Sequence, residues 1–225
     1  TAIVQTAAGR LLARAGTTIN FGDTSPRIVR CDVLAVGNHM RIATQPANLV
    51  VDGVTRIRQA LTLEAAAYDG ATSVRTANDQ YTLDTLRRLV IVGAGGSTSG
   101  RMSPLSLDAS DTWDRQYLGV AIELDGWLTE RSRGISLQAE GTGAAVKSQL
   151  MSVLSPWTDL MPLGDNAVGE AVVAAELATA AKLDDSGLRE MLTWRGDCAP
   201  WGLIAYQLGL TSMPDELPGV DETAV

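Results

Sequence analysis

Few side chains in this sequence are of the types that transfer protons or bind transition metals. His39 is the single histidine, and Cys31 and Cys198 are the only cysteines. The two cysteines are far apart, and neither belongs to a C-x-x-C pair. Structural zinc sites need Cys and His ligands at short spacings, so we expect no zinc centre. We also expect no serine triad, because no G-x-S-x-G motif accompanies the one imidazole base.

Four aspartates in the middle of the chain could supply a carboxylate-only site for magnesium or calcium. Three recur at every third position and one follows: Asp108, Asp111, Asp114 and Asp125. Calcium loops of the EF-hand type also need a central glycine and a closing glutamate, and no such loop surrounds these residues. We interpret the run as a polar loop and expect no bound metal ion.

A Ser-Lys dyad would pair Lys147 with Ser106 or Ser110. The lysine of such a dyad must be kept neutral by burial before it can act as a base. Serines are common in this part of the sequence, so the pairing has little support from spacing alone.

The glycine-rich segment Gly93–Gly100 follows an apolar run and is similar to a dinucleotide-binding loop. Such loops need three glycines and then a helix whose N-terminus faces the pyrophosphate. Thr98 stands at the third glycine position, and Pro104 prevents an immediate helix. We expect no cofactor here, although a small-molecule-binding module using this segment remains a weaker alternative.

Thr1 is a different kind of candidate, because an N-terminal threonine can use its own α-amine as the base for its hydroxyl. Parts of the chain resemble the proteasome-like N-terminal-nucleophile hydrolases. Two central helices and four segments carry this resemblance: Thr1-Ala2-Ile3-Val4, Ala15-Gly16, Gly141-Thr142-Gly143 and Asp185-Ser186-Gly187. The resemblance implies a hydrolase with Thr1 as nucleophile.

The chain departs from that family at two positions that matter for the chemistry. The family has an acid after the Ala-Gly step, where this chain has Thr17. It has a lysine in the next strand, where this chain offers only Arg30 and Cys31. Without those groups, nothing orients the amine or lowers its pKa. Thr1 is also explained by removal of an initiator methionine.

The apolar periodicity predicts the elements of the first half. Strands are expected at 27–36 and 40–44, bounded by turn residues. A stripe of apolar residues at helical spacing predicts a helix over 47–68, with paired strands over 54–64 as the alternative. The stripe consists of Val50, Val54, Ile57, Leu61, Ala65 and Tyr68. A second helix is expected from 78 to 88, followed by a strand-like run at 89–92. Residues 97–112 are expected to form a long exposed loop.

In the second half, the patterns predict strands first and helices afterwards. Three strands at 117–124, 127–130 and 134–139 include a hairpin turn at Asp125-Gly126. Helices are expected at 144–154, 166–183 and 186–194, the second of them Ala-rich and capped by Asp165 or Asn166. The sequence therefore predicts an α+β fold of mostly antiparallel sheet with about four helices. One long Ala-rich helix should lie near the C-terminus of a single domain, 1–211, before an acidic tail, 212–225.

Composition limits the classes of function. The 225 residues carry 18 bases and 26 acids, a formal charge of −8, which argues against condensing nucleic acid through a basic arm. No apolar run is long enough to span a bilayer, and the first residues do not form a secretory signal. Sixteen of the 18 bases are arginine, a residue preferred in fixed ion pairs and interfaces.

The five tryptophans all lie in the second half and are candidates for interface residues, although filling the core is the simpler role for most. They are Trp113, Trp127, Trp157, Trp194 and Trp201.

With no convincing catalytic set, we expect a non-catalytic, self-assembling structural protein. The most favoured example is a coat, shell or tail subunit of a virion, in the virion or in a cytoplasmic assembly. Its partners would be copies of itself and other virion proteins, with no cofactor. The alternative is the N-terminal-threonine hydrolase.

Overall fold

The computed structural model describes residues 2–6, 9–13, 18–20, 29–35, 39–94, 97–141, 154 and 168–212. The backbone forms two compact units, Thr1–Leu105 and Ser106–Val225. The first unit is built from strands and the second from helices, and each has its own hydrophobic core. The predicted α+β fold with a mostly antiparallel sheet and four helices is confirmed for the described residues.

The first unit is one sheet of ten described strands, paired antiparallel except for one parallel contact between β3 and β5. The central path runs in the order β10-β9-β7-β6-β4-β1-β2. The strands are β1 (Ala2–Thr6), β2 (Gly9–Ala13), β3 (Thr18–Asn20), β4 (Val29–Leu34), β5 (Met40–Ala43), β6 (Asn48–Gln59), β7 (Thr62–Arg75), β8 (Gln80–Leu83), β9 (Arg87–Ala94) and β10 (Ser97–Pro104).

The hairpin of β6 and β7 organises this sheet and has a glycine pair at its middle. Gly53 has φ +130° and lies opposite Gly70, with φ +74°. A Cβ atom at either position would lie 2.2 Å from a backbone oxygen of the other strand, so only glycine fits. A β-bulge follows between Val54 and Thr55. One half of the hairpin pairs with β5 and β8 and the other half with β4 and β9.

The second unit contains four described helices. They are α1 (Thr112–Gly141), α2 (Val168–Ala180), α3 (Asp185–Gly196) and α4 (Trp201–Gln207). Helix α1 is kinked at Leu118, where φ is −125° and ψ is 21°. Its buried apolar residues recur at helical spacing: Leu118, Ala121, Leu124, Leu128 and Ile135. Helix α2 is buried on nearly all sides, which its many alanines permit.

The predicted helix over 47–68 is wrong, and the paired-strand alternative is confirmed by β6 and β7. Two members of the supposed helical stripe are exposed, Val50 at 37% and Leu61 at 88% of their surface. Burial instead alternates along the first part of β6, where Leu49 and Val51 are buried. The spacing of three and four residues arose by chance in a strand rich in β-branched residues.

Two further predictions in the first unit are wrong. Residues 78–88 form a turn and β8, because the Thr76 hydroxyl accepts hydrogen bonds from the backbone N–H groups of Asn78 and Asp79 and closes a turn there. The first part of the expected loop at 97–112 is β10, which pairs along its whole length with β9. The strands predicted at 27–36 and 40–44 are confirmed by β4 and β5.

The three strands predicted between 117 and 139 are wrong, since all these residues lie in α1. Asp125, expected in a hairpin turn, is inside this helix, and its carboxylate accepts a hydrogen bond of 2.9 Å from the backbone N–H of Gly202. The helices expected at 166–183 and 186–194 are confirmed by α2 and α3. The Ala-rich helix is not the long one, because α2 has 13 residues and α1 has 30. The helix expected at 144–154 and nearly all of the tail lie outside the described residues.

Candidate functional site

In the half of the sheet beside the β6–β7 tip, one face carries five arginines on β4, β6, β9 and β10, with β7 lying between β6 and β9. Residues directly opposite each other on paired strands point to the same face, and the register places these arginines together. They are Arg30, Arg56, Arg58, Arg88 and Arg101. The opposite face holds the core row, in which Cys31, Ile57, Ala65 and Leu89 are buried. We call this set of five residues the arginine face.

The arginines differ in what surrounds them. Arg30 donates from Nε to both carboxylate oxygens of Asp32, at 2.9 and 2.8 Å. The Arg56 guanidinium is buried and lies 5.5 Å from the ring centre of Tyr68. Arg58 and Arg101 are exposed, so they are the members of the face that a partner's carboxylates could reach.

Charge is distributed unequally between the two units. Residues 1–105 contain 11 arginines and 7 acids, a formal charge of +4. Residues 106–225 contain 7 bases and 19 acids, a formal charge of −12. The total of −8 therefore conceals one basic and one acidic unit. Opposite potentials on two surfaces guide association and fix orientation.

The helical unit has an apolar groove of about 180 Å³ between α3, α4 and the chain that follows α2. Five of its eight lining residues have apolar side chains, but its surface is divided almost evenly between polar and apolar atoms, and Glu190 and Gln207 are its polar side chains. The apolar residues are Leu183, Met191, Trp194, Ile204 and Leu208. A groove with this lining fits an aliphatic side chain that has a polar or basic neighbour.

Tight turns at the ends of the helices position the groove walls. Helix α2 ends in a Schellman motif, with hydrogen bonds from Leu183 N to Ala178 O and from Lys182 N to Thr179 O. Lys182 adopts φ +53° there, and the turn directs Leu183 into the groove. The Asp184 side chain then caps α3 by accepting a hydrogen bond of 2.9 Å from Gly187 N.

A polar network joins all four described helices, α1 to α4, and holds the groove helices in place. Glu170 accepts hydrogen bonds from the Ser132 hydroxyl, from Arg195 Nε at 2.8 Å and from Trp201 Nε1 at 3.1 Å. Burial raises the pKa of Glu170, but these hydrogen bonds outweigh it and hold the pKa below the ordinary value of 4.5. Glu170 is thus a fixed anion in a structural network.

A second, buried ion pair links α1 and α2. The Arg131 guanidinium donates to Glu176 over 2.6 to 2.9 Å, and both side chains are almost fully buried. Arg131 also lies 5.6 Å from the ring centre of Trp127. A buried pair of this kind is costly to break, so it fixes the register of the two helices.

The tryptophans proposed as interface residues occupy different environments. Trp113 and Trp127 are half-buried on α1, and Trp194 is half-buried in the groove wall. Trp201 is only 2% exposed and belongs to the core of the helical unit. Trp157 lies outside the described residues. Of the four described tryptophans, Trp194 is the one that lines the groove.

The catalytic candidates are not brought together in the described chain. Thr1 and Lys147 lie outside the described residues, so the hydrolase alternative stays a prediction. His39 is exposed, with Nδ1 3.8 Å from an Asp52 carboxylate oxygen. Gly93 and Thr98 face each other in the β9–β10 hairpin, and a strand rather than a helix follows the glycines.

The cysteines and the aspartate run have structural surroundings. Cys31 is buried in the sheet core, where burial and then the charge of Asp32 raise its pKa to about 12. Cys198 is exposed and ends α3 with φ +68°. Asp108 accepts hydrogen bonds from Ser110, and Asp111 accepts two from the start of α1. Within the described ranges, no group of three or more potential metal ligands is assembled.

In the part of the chain that the structure describes, no helix has the length and apolar character needed to span a lipid bilayer.

The sequence alone did not indicate Leu61 or Glu190 as site residues. Its total charge also did not show that one unit is basic and the other acidic. The helical spacing places Leu61 on the apolar stripe of a predicted helix, whereas in the structure it lies at the tip of the β6–β7 hairpin. Glu190 had no distinctive spacing. The unequal charge was readable from the sequence, but only a boundary at residue 105 makes it visible.

Comparison with known proteins gives limited similarity. No protein-family model matches the chain, and no curated protein gives a significant match. Among solved structures, the chain is similar to two crystal structures of a candidate anti-sigma factor from Parabacteroides distasonis ATCC 8503. The identities are 11% and 13%, and the TM-score is 0.28 for both. Each match covers 33% of this chain and 37% of the other.

Proposed function

We propose that this protein is a non-catalytic structural subunit that assembles with copies of itself. The observation that carries the proposal is the division of charge into a basic sheet unit of +4 and an acidic helical unit of −12. Every copy then carries both members of a complementary pair. Its basic unit can bind the acidic unit of the next copy.

This arrangement predicts a heterologous contact, in which two different surfaces meet. Such contacts close into rings or continue as open assemblies, which is how shells and tubes are built. The exposed arginines Arg58 and Arg101 supply forked donors for the carboxylates of the neighbouring copy. The assignment of this assembly to a virion stays a prediction from the sequence.

Sedimentation of the purified full chain over a wide concentration series tests the proposal. A monomer has a mass of 23.7 kDa, and we expect species at multiples of that mass that grow with concentration. A chain that remains monomeric at every concentration would show the proposal to be wrong.

A charge variant and its matched control test whether the arginine face contributes. Arg58→Gln with Arg101→Gln removes two exposed charges from the arginine face, and we expect weaker association. Arg41→Gln with Arg75→Gln removes the same net charge from exposed positions at the open end of the β6–β7 hairpin, away from these five arginines, and should have a smaller effect. Equal effects would mean that net charge, and not this face, governs assembly.

A further inference from the structure

We propose that Leu61 of one copy inserts into the apolar groove of the helical unit of a second copy, with Arg58 beside Glu190 at the rim. This inference rests on the proposed function, since it names the contact through which the copies assemble. It commits to one occupant for the groove, which is the tip of the β6–β7 hairpin.

The exposure of Leu61 motivates the choice of this side chain. It is 88% exposed, whereas the other exposed large hydrophobic residues of the described chain are between 36% and 57% exposed. A backbone hydrogen bond of 3.0 Å from Ala60 N to Thr62 O closes the tip tightly. The two long strands β6 and β7 hold it in place, so little conformational freedom is lost when it docks.

The groove has room for an aliphatic side chain and has apolar side chains in its walls that such a side chain could contact. Its volume of about 180 Å³ corresponds to several water molecules, at about 30 Å³ each. Trp194 and Leu208 are half-buried in its walls, whereas Met191 and Ile204 form part of the core behind it. Replacing water in such a groove by a leucine side chain removes apolar surface from solvent on both partners.

The complementary charges of Arg58 and Glu190, together with the position at a hairpin tip, favour Leu61 over other exposed apolar residues as the occupant of the groove. Arg58 is exposed and lies three residues before Leu61, and it is the arginine of the arginine face closest to the tip in sequence. Glu190 is exposed on α3 and lines the groove. Met102 is also exposed and follows the exposed Arg101, but Met102 and Val92 both lie within the paired strands of the β9–β10 hairpin. Among the exposed large hydrophobic residues of the described chain, Leu61 alone lies at the tip of a hairpin.

A mixing experiment tests the contact, because the tip and the groove are separate on each copy. Leu61→Asp disables the tip and leaves the groove intact, whereas Glu190→Arg disables the groove and leaves the tip intact. We expect each variant alone to associate at least about tenfold more weakly than the wild type. A mixture of the two should form a dimer of twice the chain mass and no larger species, because one working tip and one working groove remain.

Two further variants make the result specific. Arg58→Glu combined with Glu190→Arg in one chain exchanges the charges and should restore association to near the wild-type level. Met102→Asp adds the same charge at another exposed apolar position of the sheet unit and should weaken association much less than Leu61→Asp does. Circular dichroism of each variant checks that it is folded, and all the substituted positions are exposed.

The outcomes separate this inference from the proposed function. If the wild type assembles and Leu61→Asp assembles equally well, the groove contact is wrong and self-assembly stands. A mixture that gives no dimer also overturns the contact. If the wild type is monomeric throughout, the proposed function is wrong and this inference is wrong with it.

Discussion

At the scale of single residues, two glycines allow the helices of the second unit to approach closely. A Cβ atom at Gly202 would lie 1.9 Å from the backbone oxygen of Ala121, and one at Gly169 would lie 1.8 Å from that of Ser132. Both obstacles are backbone atoms of α1, which cannot rotate away as a side chain can. Helix α1 therefore packs against α2 and α4 at distances that only glycine permits.

The substitution Gly202→Ala should destabilise the protein by about 1–3 kcal/mol or more, because α4 must move away from α1. Gly126→Ala is the matched control, since it lies inside α1 with no atom within 4 Å of the added carbon. It should be neutral or stabilise by up to about 1 kcal/mol. Urea unfolding followed by tryptophan fluorescence measures both, and equal effects of the two substitutions would contradict the close packing.

Glu170 connects single residues to the dependence of stability on pH. Its pKa in the folded protein is below the ordinary value of 4.5, so its network stabilises the fold fully above that pH. The contribution is lost as pH falls through the lowered pKa. We expect Glu170→Gln to be less stable than the wild type at neutral pH, with a difference that shrinks below about pH 4.5. Urea midpoints measured across this range would contradict the assignment if the two curves were parallel.

At the scale of elements, three helices end in the same way with different residues. In each, a residue with positive φ closes a Schellman motif: Lys182 after α2, Cys198 after α3 and Gly209 after α4. Glycine adopts this conformation without the steric cost that Lys and Cys incur. The first two ends therefore contain local strain that a substitution can relieve.

Lys182→Gly and Cys198→Gly should each stabilise the protein by about 0.5–1 kcal/mol, whereas Gly209→Ala should destabilise it by a similar amount. Thermal unfolding compares the three variants with the wild type. Destabilisation by both glycine substitutions would indicate that those side chains contribute more by contact than they cost in strain.

Elements were predictable from the sequence where local signals agreed, and were not where they conflicted. Helix α2 combines strong helix formers with an early acid, Glu170, and α3 begins at a capping aspartate, Asp184. Both were predicted within a few residues. In α1, the apparent alternation at 117–124 and the Asp125-Gly126 pair indicated a hairpin, yet the buried residues follow helical spacing. Packing against other helices determines that this segment is helical, and its local sequence preferences do not predict this packing.

The long hairpin and the candidate site show a second reason for failure. Spacings of three and four residues between Val50 and Leu61 are typical of a helix, but they can also arise by chance in a strand. The helical interpretation places Leu61 on an apolar stripe in the middle of an element, so it does not predict an exposed hairpin tip at this residue. The groove likewise combines residues from α3, α4 and a turn, so no local sequence pattern predicts it.

At the scale of the whole molecule, two distributions of the same net charge predict opposite effects of salt on association. A chain of −8 with evenly spread charge repels its copies, and added salt would screen that repulsion and favour association. A chain divided into +4 and −12 attracts its copies in one orientation, and salt would weaken that attraction. The sign of the salt dependence therefore distinguishes the two distributions.

We expect assembly to be strongest at low ionic strength and to weaken steadily as sodium chloride is added. The Debye length falls from about 30 Å at 0.01 M to about 3 Å at 1 M, so the attraction between units of different copies is largely screened at the upper end. What remains there should be the apolar contact alone, which salt does not screen. Light scattering along this series measures the mean mass at constant protein concentration. A mean mass that rises with salt would show that the net electrostatic force between copies is repulsive. The division of charge would then not drive their association.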